Sequence, residues 1–213
     1  MADTEKKEVS RIERVETAPY GTNAYIVSCL ATGESVLIDA PGEADKIMGG
    51  LEGTHPICIL ITHRHMDHTG ALQRLKDDLN IPVAAHPADA EHLPVDAEML
   101  LEEGNMISFG NVTLDVLHTP GHTPGSLCFL VENILLAGDT IFPGGPGKTG
   151  TPADFKQIIE SLKRSIFVLP DDMKIYPGHG DPTTVGKSKE EYAVFASKLH
   201  DPDLCGDVLW LED

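Results

Sequence analysis

The sequence is poor in cations. Sixteen Lys and Arg stand against thirty-four Asp and Glu in 213 residues, a formal charge of −18. Non-specific binding to nucleic acid or to an anionic membrane surface needs a basic face, so neither is an expected partner. Long apolar runs are lacking too, and "ICILI" is far too short to span a bilayer. The opening stretch, "MADTEKKEVSR", is charged and has no apolar h-region, so no signal peptide is expected. No C-x-x-C pair occurs. Cys29, Cys58, Cys128 and Cys205 are scattered, and they read as reduced thiols of a cytoplasmic protein rather than as a zinc site. Repeats, low-complexity tracts and Ser/Gly-rich linkers are missing as well. What remains is an ordinary globular composition, 41% apolar and 23% charged. The length suits one domain over residues 1–213, with its core at about 11–200.

"SRIERVET", "TNAYIVSCL" and "ESVLIDA" read as strands, the last two joined by a turn containing Thr32 and Gly33. "GEADKIMGGL" reads as a short helix. "PICILIT" is nearly continuous apolar sequence, the pattern of a strand buried on both faces. "ALQRLKDDL" has helical spacing and "IPVAAH" is a short strand. "NMISFGNVTLDVLHT" predicts a hairpin turning at Gly110-Asn111, followed by strands in "SLCFLVE" and "NILLAGDTIF". Thr151-Pro152 has the form of an N-cap with proline at the first helical position, opening a helix over "ADFKQIIESLKRSI". "MKIYPGHG" is a strand entering a glycine-rich loop, and "SKEEYAVFASKL" is a last helix. Two batches of strands with helices between and after them predict two sheets faced by helices.

One stretch stands apart. "THRHMDHTGA", residues 62–71, places His63, His65, Asp67 and His68 within six positions. A metal site needs imidazole and carboxylate groups converging from rigid elements, with a position left open for water. His63 and His65, two apart in an extended segment, point the same way. Four ligands this close cannot all face one tetrahedral ion without strain. They divide into two pairs, His63 with His65 and Asp67 with His68. Two ions then need about three further ligands, and three candidates stand in strand-end loops beside glycine. These are His122 in "TPGHTPGS", Asp139 in "LLAGDT" and His179 in "YPGHG".

H-x-H-x-D-H at 63–68, followed by these three residues in this order, resembles the metallo-β-lactamase superfamily over about residues 11–185. The resemblance implies an α/β fold, an αββα sandwich with the site at one edge of its two sheets. It implies one metal at His63, His65 and His122, a second at Asp67, His68 and His179, and Asp139 bridging both. Asp67 is also the candidate catalytic carboxylate. Two divalent cations, zinc first and iron or manganese as alternatives, are the expected cofactors. Held roughly 3.5–4 Å apart, such ions can lower the pKa of a shared water towards about 7. The centre stays positive after counting two aspartates and a hydroxide, so the expected substrate is a small anionic acyl compound.

Other motifs are set aside. "GPGKTG", residues 145–150, fits a dinucleotide pattern but contains a proline and follows Asp139. A Walker A loop would need glycine where Phe142 stands. Pro120 rules out a helical zinc motif from His118 and His122. His118 is assigned beside the ligands or at the surface. His86 is left open between supporting a ligand and a structural role, and His55, His92 and His200 are read as surface. Asp39, ending "VLIDA", is expected to hydrogen-bond a ligand histidine or the metal loop. Lys148 is a candidate anchor for a substrate carboxylate. "GDTIFPGG" resembles the hydroxyacylglutathione hydrolase (glyoxalase II) branch, which implies thioester hydrolysis. The chain ends soon after His179, short of the helical extension that grips glutathione in that branch. Two other readings stay open: a persulfide dioxygenase with one iron at His63, His122 and Asp139, and an acyl-homoserine lactonase. A β-lactamase, a nuclease and a metal-bound scaffold are disfavoured.

Overall fold

A computed structural model describes residues 9–211, so most of the charged opening stretch falls outside it. The first half of the chain builds a six-stranded sheet in sequential order. Its strands are β1 (Ser10–Thr17), β2 (Thr22–Cys29), β3 (Glu34–Ile38), β4 (His55–Leu60), β5 (Val83–Ala85) and β6 (Met99–Leu100). β1 to β3 are antiparallel, and β3 to β6 are parallel. The parallel steps need crossovers. α1 (Ala44–Gly50) supplies the first, and α2 (Met66–Thr69) with α3 (Leu72–Leu79) the second. A short α4 (Pro87–Ala90), which the sequence pattern does not announce, lies in the third.

The second half forms a matching sheet. β7 (Met106–Phe109), β8 (Val112–His118), β9 (Leu127–Val131) and β10 (Ile134–Gly138) make an antiparallel meander. The turn between β7 and β8 is Gly110-Asn111, as the sequence predicts, with Gly110 at φ 51°. A two-stranded ribbon follows, β11 (Ile141–Phe142) with β12 (Gly145–Pro146). α5 (Pro152–Ser161) opens on Thr151, whose hydroxyl accepts from the Asp154 N–H, with proline in the first turn. Its last turn widens into a π-helix over Leu162–Ile166, where the Phe167 N–H reaches back to the Leu162 carbonyl. β13 (Lys174–Pro177) then pairs parallel with β10, β14 (Thr183–Thr184) closes the edge, and α6 (Val185–Ala196) follows.

Period-two alternation decides the layers. In β2, Tyr25, Val27 and Cys29 face the second sheet, while Ala24 and Ile26 face α1 and α3. In β4, Cys58 and Leu60 face inward between the sheets, and Ile59 packs under the helices. Phe129 and Leu136 complete the middle layer, while Cys128 and Leu135 pack against α5 and α6. The result is an αββα sandwich of two mixed sheets flanked by helices, the architecture the sequence predicts. Beyond residue 200, where the sequence reading ended the core, Val208 and the fully buried Trp210 pack into the outer helical layer. All four cysteines are free. Among the described residues, no helix is long and apolar enough to cross a membrane.

Candidate metal centre

The two sheets meet at the end where β3, β4, β10 and β13 finish. Backbone bonds cross the seam there: Leu127 N–H to the Thr62 carbonyl at 2.8 Å, and Asn23 N–H to the Gly178 carbonyl at 2.7 Å. Tyr25 Oη–H donates to the Pro177 carbonyl at 2.6 Å. The candidate ligands lie in the segments that follow β4, β8, β10 and β13. His63 and His65 lie between β4 and α2, and Asp67 and His68 sit on α2 itself. His122 occupies the turn between β8 and β9, Asp139 follows β10, and His179 follows β13.

The fold brings all seven together, in three overlapping sets: His63, His65 and His122; His63, His68 and Asp139; and Asp67, His68 and His179. His65 Nδ1 lies 2.9 Å and His63 Nε2 lies 3.3 Å from His122 Nε2. On the other side, His68 Nε2 is 3.2 Å and Asp67 Oδ2 is 3.3 Å from His179 Nε2. Asp139 stands between the two groups. Its Oδ2 is 3.6 Å from His122 Nε2 and 3.6 Å from His179 Nε2, and its Oδ1 is 3.2 Å from His68 Nε2. Ligands about 2.0–2.1 Å from a tetrahedral ion stand about 3.3 Å from one another. The spacing within each group matches.

The outer side of each ring fixes its tautomer. Asp39 Oδ2, the Lys148 carbonyl and the Tyr20 carbonyl can only accept, so Nδ1 of His68, His122 and His179 carries the proton, at 2.8, 2.7 and 3.2 Å. Thr62 gives its hydroxyl proton to Asp39 Oδ2, and its oxygen therefore accepts from His63 Nδ1 at 3.1 Å. Four Nε2 lone pairs are thus turned inward, and His65 presents Nδ1 instead. Such orientation by carbonyls and carboxylates is the usual support of metal-binding imidazoles.

These groups fit cations. Inward lone pairs at such distances repel unless a positive charge lies between them. Asp139 Oδ1 is buried with no hydrogen-bond partner. A Cβ at residue 178 would fall on that same oxygen, so glycine is required there to leave the centre open. In the absence of an ion, charge is carried by protons. Burial pushes His68 down, but the Asp139 and Asp39 carboxylates on either side outweigh it and lift the ring to about 10. Burial, reinforced by the His68 charge, holds His63 well below its ordinary value, and burial with His122 lowers His65. Burial would raise Asp139, yet His68 and the neighbouring imidazoles hold it well below the usual carboxylate range.

The remaining sequence candidates fall as follows. Asp39, in a left-handed conformation at φ 62°, bonds both His68 and the Thr62 N–H, the expected role. Lys148 is exposed, and its backbone carbonyl is what touches the site. His86 and His118 stack on each other at 4.0 Å. His86 caps α4, and His118 Nε2 donates to the Pro124 carbonyl. His55, His92 and His200 are exposed. Residues 145–150 fold over Asp139, where Gly147 passes so close that a Cβ would strike the Asp139 carbonyl. Sequence reasoning missed Thr62, the Tyr20 carbonyl and the buried Asp89. The first has a signal, since its hydroxyl directly precedes His63; a backbone carbonyl has none.

Comparison with known proteins agrees with this geometry. The sequence pattern of the metallo-beta-lactamase superfamily matches residues 17–179, from β1 to the last candidate ligand. A hydroxyacylglutathione hydrolase, GloC, of Haemophilus influenzae is 30% identical over 187 residues, 77% of this chain and 88% of that protein. A hydroxyacylglutathione hydrolase of Rhodopseudomonas palustris is 40% identical over 161 residues, 73% of this chain but 61% of that protein. The crystal structure of TTHA1623 in a di-iron-bound form superposes with a TM-score of 0.73 at 35% identity, covering 83% of this chain and 96% of that one. With the sandwich, the ordered motif and the match over most of its length in agreement, the chain belongs to the metallo-beta-lactamase superfamily.

Proposed function

We propose that this metal-dependent hydrolase cleaves small acyl thioesters, using two divalent ions held by His63, His65 and His122 and by Asp67, His68 and His179, with Asp139 between them. The observation that carries the reading is the position of Asp139 Oδ2, equally far from one inward Nε2 of each group. Ions so held would supply a hydroxide nucleophile at neutral pH and polarise the attacked carbonyl. The protein's part is to fix their positions and to shape the approach. Asp139 and the inward lone pairs would set where the ions lie. Asp67, half-buried beside His179, borders a concavity of about 200 Å³ whose walls include Pro19, Tyr20, Pro41 and Met66. This largely apolar recess gives a small acyl group a place next to the centre. Lys148, exposed and bonded to His122 through its backbone carbonyl, offers a cation to an anionic thiol portion.

A thioester is favoured among carbonyl substrates because its thiolate leaves readily, and because two relatives at 30% and 40% identity bear the name hydroxyacylglutathione hydrolase. The Haemophilus influenzae relative is matched over 88% of its length, so the resemblance to that branch does not depend on a long extension. The test is a side-by-side assay on one metal-replete preparation. Thiol release from S-lactoylglutathione without O2 uptake is expected. O2 loss with glutathione persulfide, or faster opening of a homoserine lactone than of any thioester, would replace this reading with one of the alternatives.

A further inference from the structure

Asp89, on α4, is a carboxylate that touches no candidate ligand and is only 1% exposed. Burying an unpaired carboxylate is costly, so its partners should account for it. They do, and all belong to the loops that carry ligands. Asp89 Oδ2 accepts from the Arg64 N–H at 3.0 Å and from Thr123 Oγ1–H at 2.7 Å. Asp89 Oδ1 accepts from the Gly125 N–H at 3.1 Å, with Arg64 Nη1 at 3.8 Å. Arg64 lies between His63 and His65, and Thr123 directly follows His122. Contact with the second loop is tight, since a Cβ at residue 125 would sit 2.6 Å from Asp89 Cγ. Within that loop Thr123 N–H also donates to Ser126 Oγ at 3.0 Å, so the turn is braced from inside and outside.

We infer that Asp89 is a positioning residue that sets the distance between His122 and the His63–His65 pair, and so the affinity of that group for its ion alone. The two loops come from different sheets, and Asp89 accepts from both. The other group depends on different supports, Asp39 for His68 and the Tyr20 carbonyl for His179. Losing Asp89 should therefore divide the centre instead of weakening it evenly. This inference rests on the ligand assignment above.

The test is a Co(II) titration followed by visible absorption, with bound metal counted after dialysis. Native protein taking fewer than two ions would overturn the ligand assignment. Given two ions in the native protein, Asp89→Asn should weaken one binding event by about 10- to 100-fold, the usual cost of losing a support behind a ligand, and leave the other within error. Thr123→Val removes one donor while keeping the shape and should move the same event, by less. If Asp89→Asn fails to fold, Thr123→Val decides alone. Equal weakening of both events, or no change in a folded variant, would overturn the role of Asp89.

Discussion

Asp39 and His68 are joined by a 2.8 Å hydrogen bond between two side chains that water scarcely reaches. One carboxylate thereby orients a ring facing the centre, and its other oxygen holds the Thr62 N–H behind His63. Asp39→Ala should cost about 10- to 100-fold in metal affinity, chiefly at the group containing His68. A metal-buffered titration reads this, and unchanged affinity would show that the bond is dispensable.

Asp139 and His179 should differ when removed. Asp139 lies within reach of both groups, whereas His179 belongs to one. Asp139→Ala is expected to lose nearly all bound metal, and His179→Ala to retain about one ion per chain. Elemental analysis of the two purified variants checks this. Equal contents would refute the bridging assignment.

The metal-free protein should respond to alkali. His68 is lifted from its ordinary 6.5 to about 10, after burial is overcome by Asp139 and Asp39. A proton held more tightly in the folded state stabilises fully below the unfolded pKa and ceases to do so as pH rises through the folded one. The melting temperature of the metal-free protein should therefore fall between pH 6.5 and 10. With metal bound, an ion takes the proton's place, and the same window should be nearly flat. Parallel thermal scans decide, and two identical profiles would contradict the expectation.

Lys148→Ala should raise KM for an anionic thioester and leave kcat nearly unchanged, the pattern of binding lost equally from ground and transition states. His122 uses only the backbone carbonyl of this residue, which the substitution preserves. Steady-state kinetics with acidic and neutral thioesters separate the cases. An unchanged KM would mean that the side chain does no more than meet solvent.

Much of this was readable because the chemistry and the pattern share a period. The nearly continuous apolar run of β4 announced a strand with two buried faces, and candidate ligands follow where β4, β10 and β13 stop. The supports were harder to read. Asp89 sits in "HPADAEH" beside one other acid, Glu91, and nothing local distinguishes the one that turns inward. The Tyr20 and Lys148 carbonyls are common to every residue type, so only the fold could select them. Trp210 lies past the last helix, and its burial depends on a long-range return to α6. The stacking of His86 on His118 joins residues far apart in sequence and leaves no trace in either segment.

The seam between the sheets carries a consequence for assembly. The first sheet brings His63, His65, Asp67 and His68 to one edge, and the second brings His122, Asp139 and His179. Among the described residues, neither half alone offers a complete three-ligand group, because His122 and His179 come from the second half and their partners from the first. Full-affinity capture of an ion must therefore wait until the halves have docked, so metal uptake during refolding would time that late event. A chelator would accordingly loosen the docking itself, and amide exchange at Leu127 and Asn23, whose N–H groups cross the seam, is where the loosening would first be read.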